Sequence, residues 1–386
     1  MGKKTVNYLF VNTHYLPDLH FGGVVESGSK LFKYLRRVIP IKLLCVSKNP
    51  NAVKEVLKAN GSCYESWIFH RFGFSWEAIF GLWKDIKSAD VLLINGIFTF
   101  PVTLAQFYAV ILKKPFIVAT RGGLELWRVA HKRWKKYLYI KLITLPLMRR
   151  ATFIHVTSDV EGDSISALGF SNTFKVTNGI DLEMYADLPD KYSYEDFRDQ
   201  RFIFLFMSRT DKEKGLDILI EAYRRFCKEH DTNNFLLLIV GPDHQGYLKR
   251  FNLNYEKENI VRINGVYGDN KIKLIRRSDV VVLPSYSENF GNIVAEALAC
   301  ERPVITTAGT PWNETEKIGC GYYIQPNKEE LYIAMKDVYQ KSKEEREAMG
   351  KKGRKYIFDN FSWESKAKEM YEWLKKIGDM DNVHEK

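Results

Sequence analysis

Cysteine is scarce in this chain. Its five cysteines (Cys45, Cys63, Cys227, Cys300 and Cys320) are odd in number and form no CxxC, which argues against a disulfide framework or a cysteine-rich metal site and for a reducing compartment. Long apolar runs are missing too. The most apolar candidate, LYIKLITLPLM at 138–148, falls short of the ~18 residues a membrane span needs and contains Lys141. The opening MGKKTVNYLFVN lacks the apolar length and small-residue cleavage site of a signal peptide, and Val6 stands where a myristoylation signal needs Ser or Thr. With 12 prolines, 25 glycines, 45% hydrophobic and 27% charged residues, the composition excludes disordered and collagen-like chains. A cytoplasmic globular protein is expected, and 386 residues suggest two or three domains.

Several chemistries also lack their signatures. There is no Walker A sequence, HExxH or GxSxG, and the eight histidines are scattered without ligand spacing. The one DxD, Asp379-Met380-Asp381, lies in a charged tail. No metal is expected.

What the chain does have is positive charge in one half. Residues 1–188 hold 25 basic and 14 acidic side chains, against 33 of each in 189–386, so the first half carries the whole excess of +11. Much of it lies in 128–150, RVAHKRWKKYLYIKLITLPLMRR, with eight basic residues and no acid, accompanied by Trp127, Trp134, Tyr137 and Tyr139. Such a helix suits an anionic membrane surface, and equally a solvated face packed on its own domain. No nucleic-acid motif accompanies the charge, and nucleic acid is not expected as a partner.

Short apolar runs alternate with helical segments along the whole chain. Strands are predicted at 6–13, 41–47, 90–96, 115–123 and 152–158, with a helix at 25–38; the pattern restarts with strands at 202–209, 235–241, 260–265, 280–285 and 303–307 and a helix at 215–230. Near-continuous apolar runs imply strands covered on both faces, hence parallel sheets. The fold class is α/β: two Rossmann-like doubly wound domains facing across a cleft. The expected division is 1–187, 188–361 after a polar linker at 187–200, and a closing helix with charged tail at 362–386 that packs back toward the first domain. In such sheets ligands bind beyond the carboxyl ends of the strands, so the loops there are where chemistry is sought.

Two such loops stand out. In PSYSENFGNIVAEALACERPVI (284–305) a strand ends, a polar loop follows and a helix begins near Gly291. Glu288 before the helix and Glu296 within it can both reach its entrance, where backbone N–H groups near Gly291 and Asn292 suit a phosphate and a carboxylate suits a vicinal diol. Equally, Glu288 is a cap and Glu296 ordinary helix surface. In SRTDKEKGLDILIEAY (208–223), Arg209 and Lys214 precede Gly215 and a helix, which suits a diphosphate clamp or plain surface charge. In the first half, Gly22 and Gly23 form an anion cradle or a simple loop. Arg121, in TRGGLELW (120–127), ends a strand as a ligand-facing cation or a structural Arg paired with an acid.

Together these segments resemble the retaining, metal-independent family-four glycosyltransferases of the GT-B fold, the group that includes lipopolysaccharide, capsule and O-antigen enzymes. The resemblance covers nearly the whole chain. It rests on E-x7-E (Glu288 to Glu296), R-x4-K-G (Arg209, Lys214, Gly215), NG[IV]D (Asn178 to Asp181), the early Gly22-Gly23 and FSW (Phe361 to Trp363), in family order. It implies that Arg209 and Lys214 hold the diphosphate of a UDP- or GDP-sugar, Glu296 the ribose hydroxyls and Glu288 the transferred sugar. Asn289, Phe290, Gly291 and Asn292 would complete the substrate site, and Gly22 and Gly23 would close over the phosphates. It implies a lipid-linked or polyprenyl-linked glycan acceptor, a position at the inner face of the cytoplasmic membrane, and no cofactor, the nucleotide-sugar being a co-substrate. Many relatives carry His-Gly or His-Asp where this chain has Arg121-Gly122; a subgroup with Arg-Gly there and Gly-Thr-Pro-Trp (Gly309 to Trp312) fits better, and leaves Arg121 open between phosphate, acceptor and neither. A non-catalytic nucleotide-sugar-binding scaffold and a same-fold epimerase are the alternatives.

Overall fold

The computed structural model describes residues 6–17, 23–67, 72–124, 134–190, 201–243 and 246–384. In chain order the first elements are β1 (Tyr8–Asn12), α1 (Gly23–Leu35), β2 (Ile41–Ser47), α2 (Pro50–Leu57), β3 (Gly61–Glu65), α3 (Trp76–Ser88), β4 (Val91–Asn95), α4 (Phe100–Ile111) and β5 (Phe116–Ala119). There follow α5 (Trp134–Tyr139), a π-helical turn (Ile140–Thr144), α6 (Leu145–Met148), β6 (Phe153–Val156), α7 (Asp159–Ser166) and β7 (Thr173–Lys175). The second series is β8 (Phe202–Met207), α8 (Leu216–Glu229), β9 (Phe235–Val240), β10 (Ile260–Ile263), α9 (Asp269–Arg277), β11 (Val280–Leu283) and α10 (Asn292–Ala299). It continues through β12 (Val304–Thr307), α11 (Glu314–Ile318), β13 (Gly321–Ile324), α12 (Lys328–Gln340), α13 (Lys343–Asn360) and α14 (Trp363–His384).

The chain forms two compact units, Met1–Gly179 with Trp363–Lys386, and Ile180–Ser362. The division falls ahead of the 187/188 boundary read from composition. Ile180 and Tyr185 are buried with Leu205, Leu283 and Trp312 in the second core, and the Ile180 N–H donates to the Phe361 carbonyl at 2.6 Å. Most of the expected linker, 191–200, lies outside the described residues.

Both sheets are wholly parallel and switch direction of winding once. The first runs β3-β2-β1-β4-β5-β6-β7 and the second β10-β9-β8-β11-β12-β13. The reversal falls between β1 and β4 in one unit and between β8 and β11 in the other, which marks the carboxyl ends of those four strands as the ligand positions. Strand β8, FIFLFM, is buried along its whole length, as helices on both faces require. β3, β7 and β13 escaped the sequence reading because they are short edge strands without an apolar run.

α14 belongs to the first unit. Ala367, Met370 and Leu374 recur at helical spacing and are fully buried beside Phe10, Phe32 and Leu35. The predicted strand at 115–123 stops at Ala119, because Thr120–Leu124 turn away with Arg121 in a left-handed conformation, φ +51°. Within the basic stretch, Pro146 has no N–H to return to the preceding turn. The helix widens there, with the Leu145 N–H donating to the Ile140 carbonyl.

Candidate functional site

In the second unit the site is built on the loops after β8 and β11. Asp211 caps the short turn Lys212–Lys214 by accepting from the Lys214 N–H at 3.2 Å. Gly215 follows in a left-handed conformation, φ +67°, where an added Cβ would lie 1.9 Å from the Pro284 carbonyl oxygen. Only glycine lets the β8 loop approach the β11 loop this closely. The two loops are also tied by the Tyr286 N–H, which donates to the Glu213 carbonyl at 2.9 Å. This approach brings the Lys214 ammonium to 2.8 Å from Glu288, with only 6% and 13% of the two side chains exposed.

Glu296 sits in the second turn of α10 and is almost fully buried. Its partner is Lys271 of α9, whose ammonium lies 2.7 Å from each carboxylate oxygen but is aligned for a hydrogen bond only with Oε1. Oε2 is buried and has no hydrogen bond. A buried, charged acceptor with capacity to spare is the condition a ligand hydroxyl would relieve. The loop into α10 is braced from below. The Glu288 N–H donates to the Gly309 carbonyl at 2.7 Å, and the Trp312 indole N–H donates to the Phe290 carbonyl. Gly291, at φ +75°, turns the chain into the helix.

Sequence reading and structure differ at three of these positions. Arg209 is about half exposed, and its ion pair is with Asp211 at 3.3 Å, not with either glutamate. Phe290 presents no side chain to a ligand: its ring is buried against Trp312 and Phe361, at 5.1 and 5.9 Å between centroids, because the turn at Gly291 points it inward. Asn289 and Asn292 flank it half-buried. Lys271 was missed. The available signal was weak: a lysine in the first turn of a helix opposes the helix dipole, and such a placement asks for an acidic partner.

The first unit carries a buried polar network at its own point of reversal. The β1–β4 register sets Asn12 beside Asn95 at the strand ends, and the Asn95 amide donates to Asn12 at 3.0 Å. Gly28 of α1 covers them; a Cβ there would lie 2.6 and 2.7 Å from the two amide nitrogens. Arg121 donates through Nε to Asn95 at 2.5 Å and through Nη1 to Asn178 at 3.0 Å, while Nη2 is buried without a hydrogen bond. Burial pulls the guanidinium pKa down to about 10, against the opposing pull of Glu161.

Glu161 anchors the turn that holds Arg121. It accepts from the Thr120 hydroxyl at 2.5 Å, the Thr157 N–H at 2.7 Å and the Gly122 N–H. His155 lies close by. Burial, and then the charge of Arg121, push its pKa down to about 3, so it is neutral and donates through Nε2 to the Val176 carbonyl at 2.7 Å. Asn12 and Asn95 went unremarked because single polar residues at the ends of apolar runs look like ordinary loop starts, and Glu161 because an acid in the first turn of a helix is commonplace.

Gly23 is the exposed first residue of α1, and Gly22 lies outside the described residues, as do 128–133 of the basic stretch. Among the described residues no group of three His, Cys, Asp or Glu side chains is placed to hold a metal, and no helix is long and apolar enough to cross a membrane.

Residues 193–356 match the family model described as glycosyl transferases group 1. An uncharacterized glycosyltransferase of Methanocaldococcus jannaschii is 29% identical over 177 residues, 45% of this chain and 44% of that protein, so the match spans less than half of that relative. The capsular polysaccharide biosynthesis glycosyltransferase CapM of Staphylococcus aureus is 27% identical over 281 residues, 67% of this chain and 69% of CapM. Among solved structures, Anabaena HepE, crystallised with UDP-glucose, superposes with a TM-score of 0.75 at 16% identity, covering 96% of this chain and 99% of that one. Most of the second unit thus matches the glycosyl transferases group 1 model, and the two Rossmann-like units give the chain the GT-B fold.

Proposed function

We propose that this protein moves a sugar from a nucleotide-diphosphate-sugar to a lipid-linked glycan acceptor, with retention at the anomeric carbon and without a metal ion, in the synthesis of a surface polysaccharide of capsule or lipopolysaccharide type. The observation that carries the reading is two near-buried ion pairs beside the β8–β11 reversal: Lys214–Glu288, between the loops after β8 and β11, and Lys271–Glu296, between α9 and α10. The likeness to CapM, named for capsule biosynthesis, and to HepE, solved with UDP-glucose, supports the same reading.

Breaking the anomeric C–O bond leaves negative charge on the departing nucleoside diphosphate. Lys214 and Arg209 neutralise that charge, and the entrance of α10 adds its backbone N–H groups. Glu296 accepts from the ribose hydroxyls through the oxygen that lacks a hydrogen bond. Glu288, drawn toward Lys214 in the free protein, accepts from a hydroxyl of the transferred sugar. No side chain is assigned as a covalent nucleophile. Retention then follows from attack on the face the diphosphate leaves, whose oxygen takes the acceptor proton. In the first unit, Arg121 keeps one buried N–H group without an internal hydrogen bond, available to an anionic substrate group.

A thermal-shift series with UDP, GDP and ADP tests the donor half. One nucleotide at about 100 times its Kd should stabilise the protein by about 2.7 kcal/mol, and the others far less. The same nucleotide's radiolabelled sugar, given with a lipid extract, should yield an extractable labelled product. Binding without any transfer to extract lipids would refute the transferase reading and favour a binding scaffold.

A further inference from the structure

Helix α9 opens with an unusual charge order. Asp269 at its start suits the positive end of the helix dipole, but Lys271, still in the first turn, opposes it. A lysine in that position gains most by reaching into water. This one does not: only 21% of its side chain is exposed, and its ammonium lies 2.7 Å from a carboxylate whose own side chain is 4% exposed. α9 and α10 run side by side in the same direction. Lys271 near the start of α9 meets Glu296 in the second turn of α10, while Arg276 near the end of α9 donates to the Cys300 carbonyl at 3.1 Å and pairs with Glu301 at 3.2 Å. Both helices follow strands of one parallel sheet, so their first turns lie at the carboxyl ends of β10 and β11, where ligands bind.

α9 does not depend on Lys271 to stay in place. Ile272, Leu274 and Ile275 are buried in one core with Ala297 and Leu298 of α10, and Arg276 ties the far end. The charge of Lys271 acts on Glu296 instead. A carboxylate offers about four lone-pair sites. Lys271 takes one on Oε1, and the buried Oε2 keeps both of its own. Two hydroxyls on adjacent carbons can then be accepted together, provided the group stays charged and does not turn. A buried carboxylate without a cation sheds its charge by taking up a proton or turns toward water, and a neutral carboxyl accepts more weakly.

We infer that Lys271 is a positioning residue for nucleotide selection: it holds Glu296 ionised and oriented so that the site recognises the vicinal diol of a ribose and discriminates against a 2′-deoxyribose. The inference rests on the proposed role of Glu296 toward the ribose hydroxyls, and assigns the selectivity to a side chain that acts through Glu296.

Isothermal titration calorimetry of the full chain with UDP and 2′-deoxy-UDP, or with GDP and 2′-deoxy-GDP if GDP is the ribonucleotide that binds, measures the discrimination as a ratio of Kd values. The wild type should prefer the ribonucleotide by about tenfold or more, as expected for a hydrogen bond to a charged acceptor. Lys271→Met should lower the ratio to about threefold, the size of a neutral hydrogen bond, and Lys271→Arg should restore most of it. Lys271→Gln replaces the Met variant if that one does not fold. Added to Glu296→Gln, Lys271→Met should change the ratio no further, because the lysine acts through the carboxylate. Lys273→Met, which removes the same charge from another side of α9, should leave the ratio as in the wild type. Thermal denaturation checks that each variant is folded. A wild-type ratio in Lys271→Met, or a drop of equal size when Lys271→Met is added to Glu296→Gln, would overturn the inference and leave the nucleotide site standing. A wild type that binds neither ribonucleotide, or binds the ribo and deoxy forms equally, would overturn the reading of Glu296 and the inference with it.

Discussion

Lys214→Ala separates what this lysine does for the fold from what it does for the reaction. The ammonium lies 2.8 Å from Glu288 and both side chains are nearly covered, so truncation strands a carboxylate that retains only slight access to water. Breaking a fully buried pair costs about 3–5 kcal/mol; the residual exposure of Glu288 and relaxation of its loop bring the expected loss to about 2 kcal/mol. For units of this size that lowers the Tm by several degrees without unfolding the protein at assay temperature. The catalytic loss is separate. Removing one preorganised charge that stabilises the leaving diphosphate should reduce kcat by about 10²-fold, equivalent to about 3 kcal/mol.

Adding Glu288→Gln to Lys214→Ala removes the stranded charge, so the double variant should regain at least about 1 kcal/mol of stability while its activity stays low. Thermal denaturation and steady-state kinetics on the three proteins measure both effects. A folded Lys214→Ala enzyme within about threefold of wild-type kcat, or one whose loss lies wholly in KM, would refute the leaving-group role, because the lysine would then bind substrate and transition state alike.

Two further outcomes follow from the first unit. Arg121→Lys keeps a positive charge but loses the fork to Asn95 and Asn178; kcat should fall by about 10²-fold and the Tm by several degrees, because two buried amide oxygens lose their donors, and a folded Arg121→Gln enzyme of full activity would remove Arg121 from the reaction. His155 titrates near 6.5 in the unfolded chain and near 3 in the folded one, so the unfolded chain binds the extra proton between those values. Its contribution to stability is complete above about pH 6.5 and is lost as pH falls toward 3, at up to ~1.4 kcal/mol per pH unit. Urea denaturation between pH 4 and 7 should show a shallower slope for His155→Gln than for the wild type, and identical slopes would exclude the histidine as the source.

How far the sequence carried depended on how local the signal was. Strands such as β8 and β9 are continuous apolar runs and were legible at once, as was the spacing of Arg209, Lys214, Glu288 and Glu296 around two strand ends. The spacing could not say which cation meets which acid. Lys214 and Glu288 are 74 residues apart and meet only because β8 and β11 are neighbours in the sheet and Gly215 admits the Pro284 carbonyl. Lys271 and Glu296 come from different helices, and no motif joins them.

The sequence by itself determined the fold class, the two-unit organisation and the positive first half, because hydrophobic periodicity and charge are properties of contiguous residues. Tertiary structure decided the rest. It exposed Arg209, turned Phe290 into the core, joined Asn12, Asn95, Arg121 and Asn178 across four strand ends, and set Lys271 against Glu296. The physical reason is that burial and charge pairing are set by whichever segments the sheet order makes neighbours, and that order is fixed by the packing of the whole chain rather than by any window of it.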